Sequence, residues 1–194
     1  MSPRAGLDRA AVVRAAAALA DRAGLEEVTL ARLADELGVR TPSLYNHVAG
    51  LDGLRRDLAL LGLRQIAGRL AEAASGEPGG EAIVALGDAY RAFAKERPGL
   101  YAAAMVRAPG PEGAELQAAA QEVLDVVLAA LATYGLRGDD ALHATRGLRS
   151  LLHGFVALEL AGGFGLPLDL DESFHRLLLA FIHGLHRDER GALP

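Results

Sequence analysis

Apolar residues recur every three or four positions along most of this chain, the spacing that puts them on one face of an α-helix. Val12, Ala16 and Leu19 form such a stripe behind Asp8, a residue type that is suited to cap a helix. The most regular stripe covers 116–131, where leucine, valine and alanine repeat at intervals of three and four. Because glycine or proline separates successive stripes, and β-branched and aromatic residues are sparse, the pattern predicts an all-α fold of about nine helices.

The stretch 29–48 divides into two short helical segments on either side of Gly38. Leucines at helical spacing give the first segment an apolar face, and Gly38 follows the last of them, where a left-handed C-cap costs least in glycine. Thr41 is suited to cap the second segment, with Pro42 at its first position. Two helices joined by such a turn are typical of the helix-turn-helix, whose second helix enters the major groove of DNA.

The outward face of the second segment decides between this motif and an ordinary helical hairpin, which would share the same leucine pattern. Side chains on that face can donate to or accept from base edges and phosphates. The first segment would also bring the Thr29 hydroxyl and its amide end near a phosphate. The pattern therefore predicts DNA binding. The outward residues of the second segment are Arg40, Thr41, Ser43, Tyr45, Asn46 and His47.

The net charge of −5 is unusual for a DNA-binding protein, but the charge is uneven along the chain. Residues 1–60 hold eight arginines and eight acidic residues, whereas the remainder holds twelve basic and seventeen acidic ones. A neutral N-terminal part is compatible with local contacts to phosphate, and a dimer would double those contacts. The chain has no cysteine, which excludes disulfides, thiolate zinc sites and cysteine nucleophiles.

Other classes of protein and site find little support in the sequence. No apolar run reaches about 18 residues without a charge, and the N-terminus lacks the apolar segment of a signal peptide, so a cytoplasmic protein is expected. His183 and His186 are three apart, but no carboxylate stands at a matching spacing for a metal site. Ser150 and His153 lack an orienting acid, and there is no phosphate-binding glycine loop. We expect no metal, no cofactor and no enzymatic activity.

Two long predicted helices near the C-terminus, at about 140–160 and 171–185, are apolar on more than one side. Excess apolar surface of this kind is usually buried against a partner. We therefore expect a homodimer in which two helices from each subunit form a four-helix bundle. The residues expected at that interface are Leu148, Leu151, Leu158, Phe174, Leu178, Phe181 and Leu185.

Six residues are candidates for a small-molecule pocket, although aromatic residues and methionine at helical spacing are individually more often core. A regulator that detects its own signal needs a cavity, so the group is interpreted as pocket lining. Such a lining would be mostly apolar, which favours an apolar or aromatic ligand. The candidates are Tyr90, Phe93, Tyr101, Met105, His153 and Phe155.

The run LADELGVRTPSLYNHVAGLDGL, at 33–54, resembles the TetR family of transcriptional regulators. Its specific part is Leu-Gly-Val at 37–39 followed by Leu-Tyr-x-His-Val at 44–48, and the segment at 152–159 resembles the family's WHG-type ligand-binding domain. The resemblance implies a homodimer that represses from a palindromic operator until an inducer, bound in the C-terminal domain, changes the spacing of the two heads. By similarity, the DNA-contacting positions are Thr29, Arg40, Thr41, Pro42, Ser43, Tyr45, Asn46 and His47.

One departure from the family pattern is Leu51, which stands where many members carry a lysine that contacts phosphate. We expect a helix-turn-helix DNA-binding domain at 1–50 and a helical ligand-binding and dimerisation domain at 51–194. The alternative is a helical small-molecule binding protein whose DNA-binding head has degenerated. Leu51 and the neutral charge of the N-terminal part would favour that alternative.

Overall fold

The computed structural model describes residues 7–106 and 113–185, and within these ranges it confirms the predicted all-α fold. Regular structure in the described ranges consists of nine α-helices and one 3-10 turn, Leu25–Glu27. None of these helices combines the length and the apolarity that crossing a bilayer requires. The helices are α1 (Arg9–Ala23), α2 (Leu30–Leu37), α3 (Thr41–Leu44), α4 (Gly50–Ala74), α5 (Gly79–Glu96), α6 (Pro98–Met105), α7 (Ala114–Ala132), α8 (Gly138–Leu160) and α9 (Leu170–Leu185).

Capping residues set the ends of the first two helices as their residue types predict. The Asp8 carboxylate accepts a 2.6 Å hydrogen bond from the Ala11 amide and so caps α1. Gly38 ends α2 in the left-handed conformation, at φ 66°. The cap of α3 was predicted wrongly: Arg40 is its N-cap and Thr41 is its first helical residue. The Arg40 side chain makes no capping bond, so this helix begins without the side-chain cap that a threonine would supply.

Helix α3 is also shorter than predicted, because it ends at Leu44 rather than near Val48. The Asn46 amide donates to the Ser43 carbonyl at 3.4 Å. The His47 amide likewise donates to the Leu44 carbonyl at 2.9 Å. Bonds across three residues tighten the chain into a turn, and a single bond across four residues, from the Val48 amide to the Leu44 carbonyl at 3.0 Å, closes it. The second element of the motif is therefore one helical turn followed by a tight turn.

The chain divides into two compact units. Unit 1 comprises 1–65 and 96–119, so α6 belongs with the N-terminal helices although it follows α5 in the chain. Unit 2 comprises 66–95 and 120–194. The predicted DNA-binding domain, 1–50, lies within unit 1, and its boundary with a second domain at 50/51 stays a prediction.

The core of unit 1 is built mainly from leucines that the helical spacing turns inward. Leu33 of α2 and Leu44 of α3 are both 0% exposed, and Val48 is 5% exposed. Full burial of such a side chain stabilises the fold by roughly 1.5–3 kcal/mol. The two short helices of the motif are therefore held by side chains on their inner faces, which leaves the outer faces free. The fully buried leucines of this unit are Leu19, Leu33, Leu44, Leu54, Leu58 and Leu100.

Unit 2 contains a buried ion pair beside its apolar core. The guanidinium of Arg91, on α5, donates two hydrogen bonds of 2.6 Å to the carboxylate of Glu159, on α8. Its third nitrogen lies 2.7 Å from the carboxylate of Asp171, at the start of α9. The guanidinium also lies over the rings of Phe155 and Phe174, at 5.6 Å and 5.1 Å from their centroids. One cation thus joins three helices of this unit.

We expect Glu159→Gln to lower the free energy of unfolding by about 3 kcal/mol at neutral pH, because Arg91 would be left as a buried charge without its main partner. The hydrogen bonds from Arg91 hold the pKa of Glu159 below its ordinary value of 4.5, although burial opposes them. The stabilisation is therefore present above pH 4.5 and is lost as the pH falls through the lower pKa of the folded state. Urea denaturation at neutral and acidic pH measures the difference.

Glu172→Gln is the matched control for this measurement, since it breaks the exposed pair between Glu172 and Arg176 on one face of α9. An exposed pair of this kind contributes only about 0.3–0.5 kcal/mol. Equal losses for the two variants, or a loss for Glu159→Gln that stays constant as the pH falls, would contradict the assignment of the buried pair.

Candidate nucleic-acid interface

The α2–α3 motif is built on a capped helix and a left-handed turn. The Thr29 hydroxyl accepts a 3.2 Å hydrogen bond from the Arg32 amide and so caps α2. At the other end, Gly38 donates to the carbonyls of Ala34 and Asp35. Since φ 66° is a conformation that residues with a side chain rarely adopt, glycine at this position fixes the direction in which the chain enters α3.

None of the eight predicted DNA-contacting residues is buried. Tyr45 is the most exposed aromatic side chain of the described residues, at 61%. Thr29, Arg40, Pro42 and Asn46 are exposed as well. The other three are half-buried. These three are Thr41, Ser43 and His47.

Most arginines near the motif are already paired with carboxylates. Arg22 lies 2.7 Å from Glu36, and Arg32 lies 2.8 Å from Glu27. Arg40, in contrast, makes no ion pair with any described residue. Its guanidinium is therefore available for a phosphate or a base edge, and this explains how a unit of nearly neutral charge can still present a cation at the motif.

The six predicted pocket residues are divided between the two units. Tyr101 and Met105 lie on α6 of unit 1, whereas the other four lie in unit 2. Phe155 packs between the rings of Phe164 and Phe174, with centroids 4.8 Å and 4.9 Å away. His153 is exposed, Met105 is half-buried, and the remaining candidates are buried. The buried candidates are Tyr90, Phe93, Tyr101 and Phe155.

Unit 2 has an open groove of about 680 Å³ that none of the six candidates lines. Glu77 and Pro78, the first turns of α5 up to Asp88, and three residues of α9 form its walls. Burial raises the pKa of Asp88 in this groove, although the nearby charges of His175 and Arg91 act in the opposite direction. The sequence did not indicate this groove, because its acidic residues look like an ordinary solvated helix start. The predicted ligand-binding residues stay a prediction.

The residues predicted for the dimer interface differ in exposure. Leu148, Phe174 and Leu178 are at most 2% exposed within the single chain, so its own helices already cover them. Leu151, Phe181 and Leu185 are half-buried, and Leu158 is 50% exposed. A second subunit would therefore have to contact the latter residues and their exposed neighbours. Those neighbours on and between α8 and α9 include Leu142, Leu160, Leu166, Leu168 and Leu177.

Helical periodicity did not single out the ion pair between Arg91 and Glu159. The signal was available, since Arg91 follows buried Gly87 by four positions and precedes buried Ala94 by three. A charged residue on a buried face requires an opposite charge nearby. The sequence could not identify the acidic partner, because Glu159 is 68 positions away in the chain.

Comparison with known proteins bears directly on this motif and on the helices that follow it. Residues 83–181 match the family model described as the tetracyclin repressor-like C-terminal domain. The chain is 38% identical over 186 residues to the HTH-type transcriptional regulator YobS of Bacillus subtilis (strain 168), which covers 95% of this chain and 96% of YobS. It is 35% identical over 183 residues to the HTH-type regulator Rv0681 of Mycobacterium tuberculosis, with 94% and 84% covered.

Similarity of fold extends to solved structures. ActR, a TetR family protein of Streptomyces coelicolor crystallised in complex with actinorhodin, matches with a TM-score of 0.70 at 23% identity, over 95% of this chain and 96% of that chain. Regulators of this family bind DNA operators and ligands, act as dimers and are not enzymes. The matched C-terminal model, the two HTH-type relatives and the exposed helix-turn-helix agree, and the chain belongs to the TetR family of DNA-binding transcriptional regulators.

Proposed function

We propose that this regulator is a repressor that binds a palindromic operator as a homodimer and is released by a small apolar or aromatic ligand. The observation that carries the DNA-binding part is the exposed surface at 40–47, which sits on the fully buried anchors Leu33 and Leu44. Two such surfaces in a dimer would reach successive major grooves, about 34 Å apart. The exposed motif also argues against a degenerate head whose only activity is small-molecule binding.

Within this surface, charge and reach distinguish the roles of the side chains. Arg40 is exposed and makes no ion pair with any described residue, so it is assigned to a phosphate, and the phenol of Tyr45 is assigned to another. Ser43, Asn46 and His47 offer the donors and acceptors that base edges require. The start of α2, with Thr29 as its cap, would receive a further phosphate.

Tyr45→Ala should abolish retention of an operator fragment in a gel-shift assay while leaving helicity and dimerisation intact. The residue is 61% exposed, so its removal takes little from the core. Arg40→Ala should weaken binding and lower the salt slope by about one, since one phosphate contact is lost. Tyr45→Phe, which keeps the ring, is the control that separates the hydroxyl from the aromatic contact. An unchanged gel shift for Tyr45→Ala would remove this residue from the interface.

The proposed dimer interface comprises the exposed and half-buried apolar residues of α8 and α9. Leu158 lies near its centre in sequence and is 50% exposed, and Leu151 and Phe181 are half-buried. Apolar surface of this extent on adjacent helices is typical of a surface that a second subunit covers.

Leu158→Lys should shift the protein from dimer to monomer in sedimentation equilibrium, because a charge would be buried against the partner. Leu179→Lys is the control: Leu179 is a leucine of α9 that is 36% exposed, but it lines the groove of unit 2 and is therefore not counted in the proposed interface. The control should remain a dimer. A Leu158→Lys variant that also remains dimeric would move the interface away from this part of α8.

Three observations support release by a ligand: the apolar character of Tyr90, Phe93 and Phe155, the resemblance of 152–159 to the WHG-type domain, and the complex of ActR with actinorhodin. The fold can therefore hold a small molecule in at least one relative.

Native mass spectrometry of the purified dimer should detect a small apolar or aromatic molecule bound non-covalently. Once identified, that compound should release an operator fragment from the protein in fluorescence anisotropy. Phe93→Leu should impair release if the predicted pocket is used, whereas Asp88→Asn, in the groove of unit 2, should not. The opposite result would assign the ligand to the groove.

A further inference from the structure

The N-terminus of α6 is capped by a residue of another helix. The N-cap residue, Arg97, makes no side-chain capping bond of its own. Instead, the Asp21 carboxylate, on α1, accepts hydrogen bonds from the amides of Gly99 at 2.9 Å and Leu100 at 3.2 Å. Its other oxygen accepts a 2.6 Å bond from Nε of Arg97. The Asp21 side chain is 14% exposed, so these bonds are partly shielded from water.

The backbones of α1, α4 and α6 are in close contact around this cap. A Cβ at Gly99 would lie 2.2 Å from the carbonyl carbon of Ala20, so α6 meets α1 at a distance that only glycine permits. A Cβ at Gly62 of α4 would lie 2.6 Å from the carbonyl oxygen of Leu100. Arg97 adds a 3.2 Å hydrogen bond to Gln65 at the same end of α6. Within unit 1, α6 is thereby fixed to both α1 and α4.

The same turn of α1 is also joined to the DNA-binding motif. Arg22, which follows Asp21, lies 2.7 Å from Glu36 on α2. Ala20, which precedes it, is 1% exposed. Consecutive residues of α1 therefore contact α6 on one side and α2 on the other. A change in the position or rigidity of the α6 end would be passed to α2 through a single helical turn.

We propose that Asp21 is a positioning residue for operator binding: by capping α6 from α1, it fixes the turn that holds α2 against the core. Asp21 touches no DNA in this assignment, and its effect reaches the operator through the packing of α1 against α2, beside the exposed pair between Arg22 and Glu36. This inference depends on the proposed operator contacts of α2 and α3.

The test compares Asp21→Ala and Asp21→Asn with the wild-type dimer. Dissociation constants are measured by fluorescence anisotropy on an operator fragment that footprinting of the protein's own promoter defines. Asp21→Ala should raise the dissociation constant about tenfold, which is roughly 1.4 kcal/mol. Asp21→Asn keeps an acceptor for the Gly99 and Leu100 amides, so it should raise the dissociation constant only about threefold above the wild-type value. The salt slope should stay at the wild-type value, because no phosphate contact is removed.

Asp57→Asn is the matched control, since it breaks another ion pair of unit 1, between Arg9 of α1 and Asp57 of α4, without touching α6. All variants are measured well below their melting temperatures, where circular dichroism gives full helicity, so that a loss of stability alone does not alter binding. The control should bind within about twofold of wild type. Asp21→Ala that binds like the control, or a changed salt slope, would overturn the inference. Failure of the wild-type protein to bind would instead count against the proposed operator contacts.

Discussion

The contact between Ala20 and Gly99 is the constraint on which the organisation of unit 1 depends. Two helices can approach this closely only where one of them lacks a side chain. The approach brings the Asp21 carboxylate within reach of the first amides of α6, which have no partner inside their own helix. Asp21 of α1 thus caps α6, a helix that is remote in the chain, and α6 in turn supports the N-terminal helices by packing against α1.

Charged residues in this protein serve the interior of each unit as much as its surface. Arg91 joins α5, α8 and α9 in unit 2, and Arg97 joins α1, α4 and α6 in unit 1. Arginine suits both positions because its planar group donates several hydrogen bonds at fixed angles. An arginine that is paired in this way adds little to the positive electrostatic potential at the protein surface. The N-terminal part is neutral because eight acidic residues match its eight arginines, and pairs such as Arg22 with Glu36 hold several of them together. Arg40 makes no ion pair with any described residue and can serve a role outside the fold.

Local chemistry made much of the fold predictable from the sequence. Asp8 and Gly38 act within a few residues of themselves, so their residue types sufficed to place the ends of α1 and α2. The length of α3 was less accessible, because the buried pair Leu44 and Val48 fits a continued helix and a tight turn equally well. The exposure of the motif's polar face followed from its apolar anchors.

Contacts between residues that are far apart in the sequence could not be predicted in the same way. Periodicity shows that α8 and α9 have more apolar surface than one stripe requires, but it cannot say which side the chain itself covers. Leu148 and Phe174 proved to be internal, whereas Leu158 remained exposed. The groove of unit 2 depends on residues as far apart in the chain as Pro78 and His175, which are 97 positions apart, and no local pattern connects them.

The buried pair between Arg91 and Glu159 also restricts how this sequence can diverge. Replacement of either residue alone leaves a buried charge without its main partner, so a lineage that changes one of them passes through a less stable intermediate. The two positions are therefore expected to be inherited together and to change together. In an alignment of related chains these two positions should covary, and a chain that lacks the arginine should also lack the glutamate.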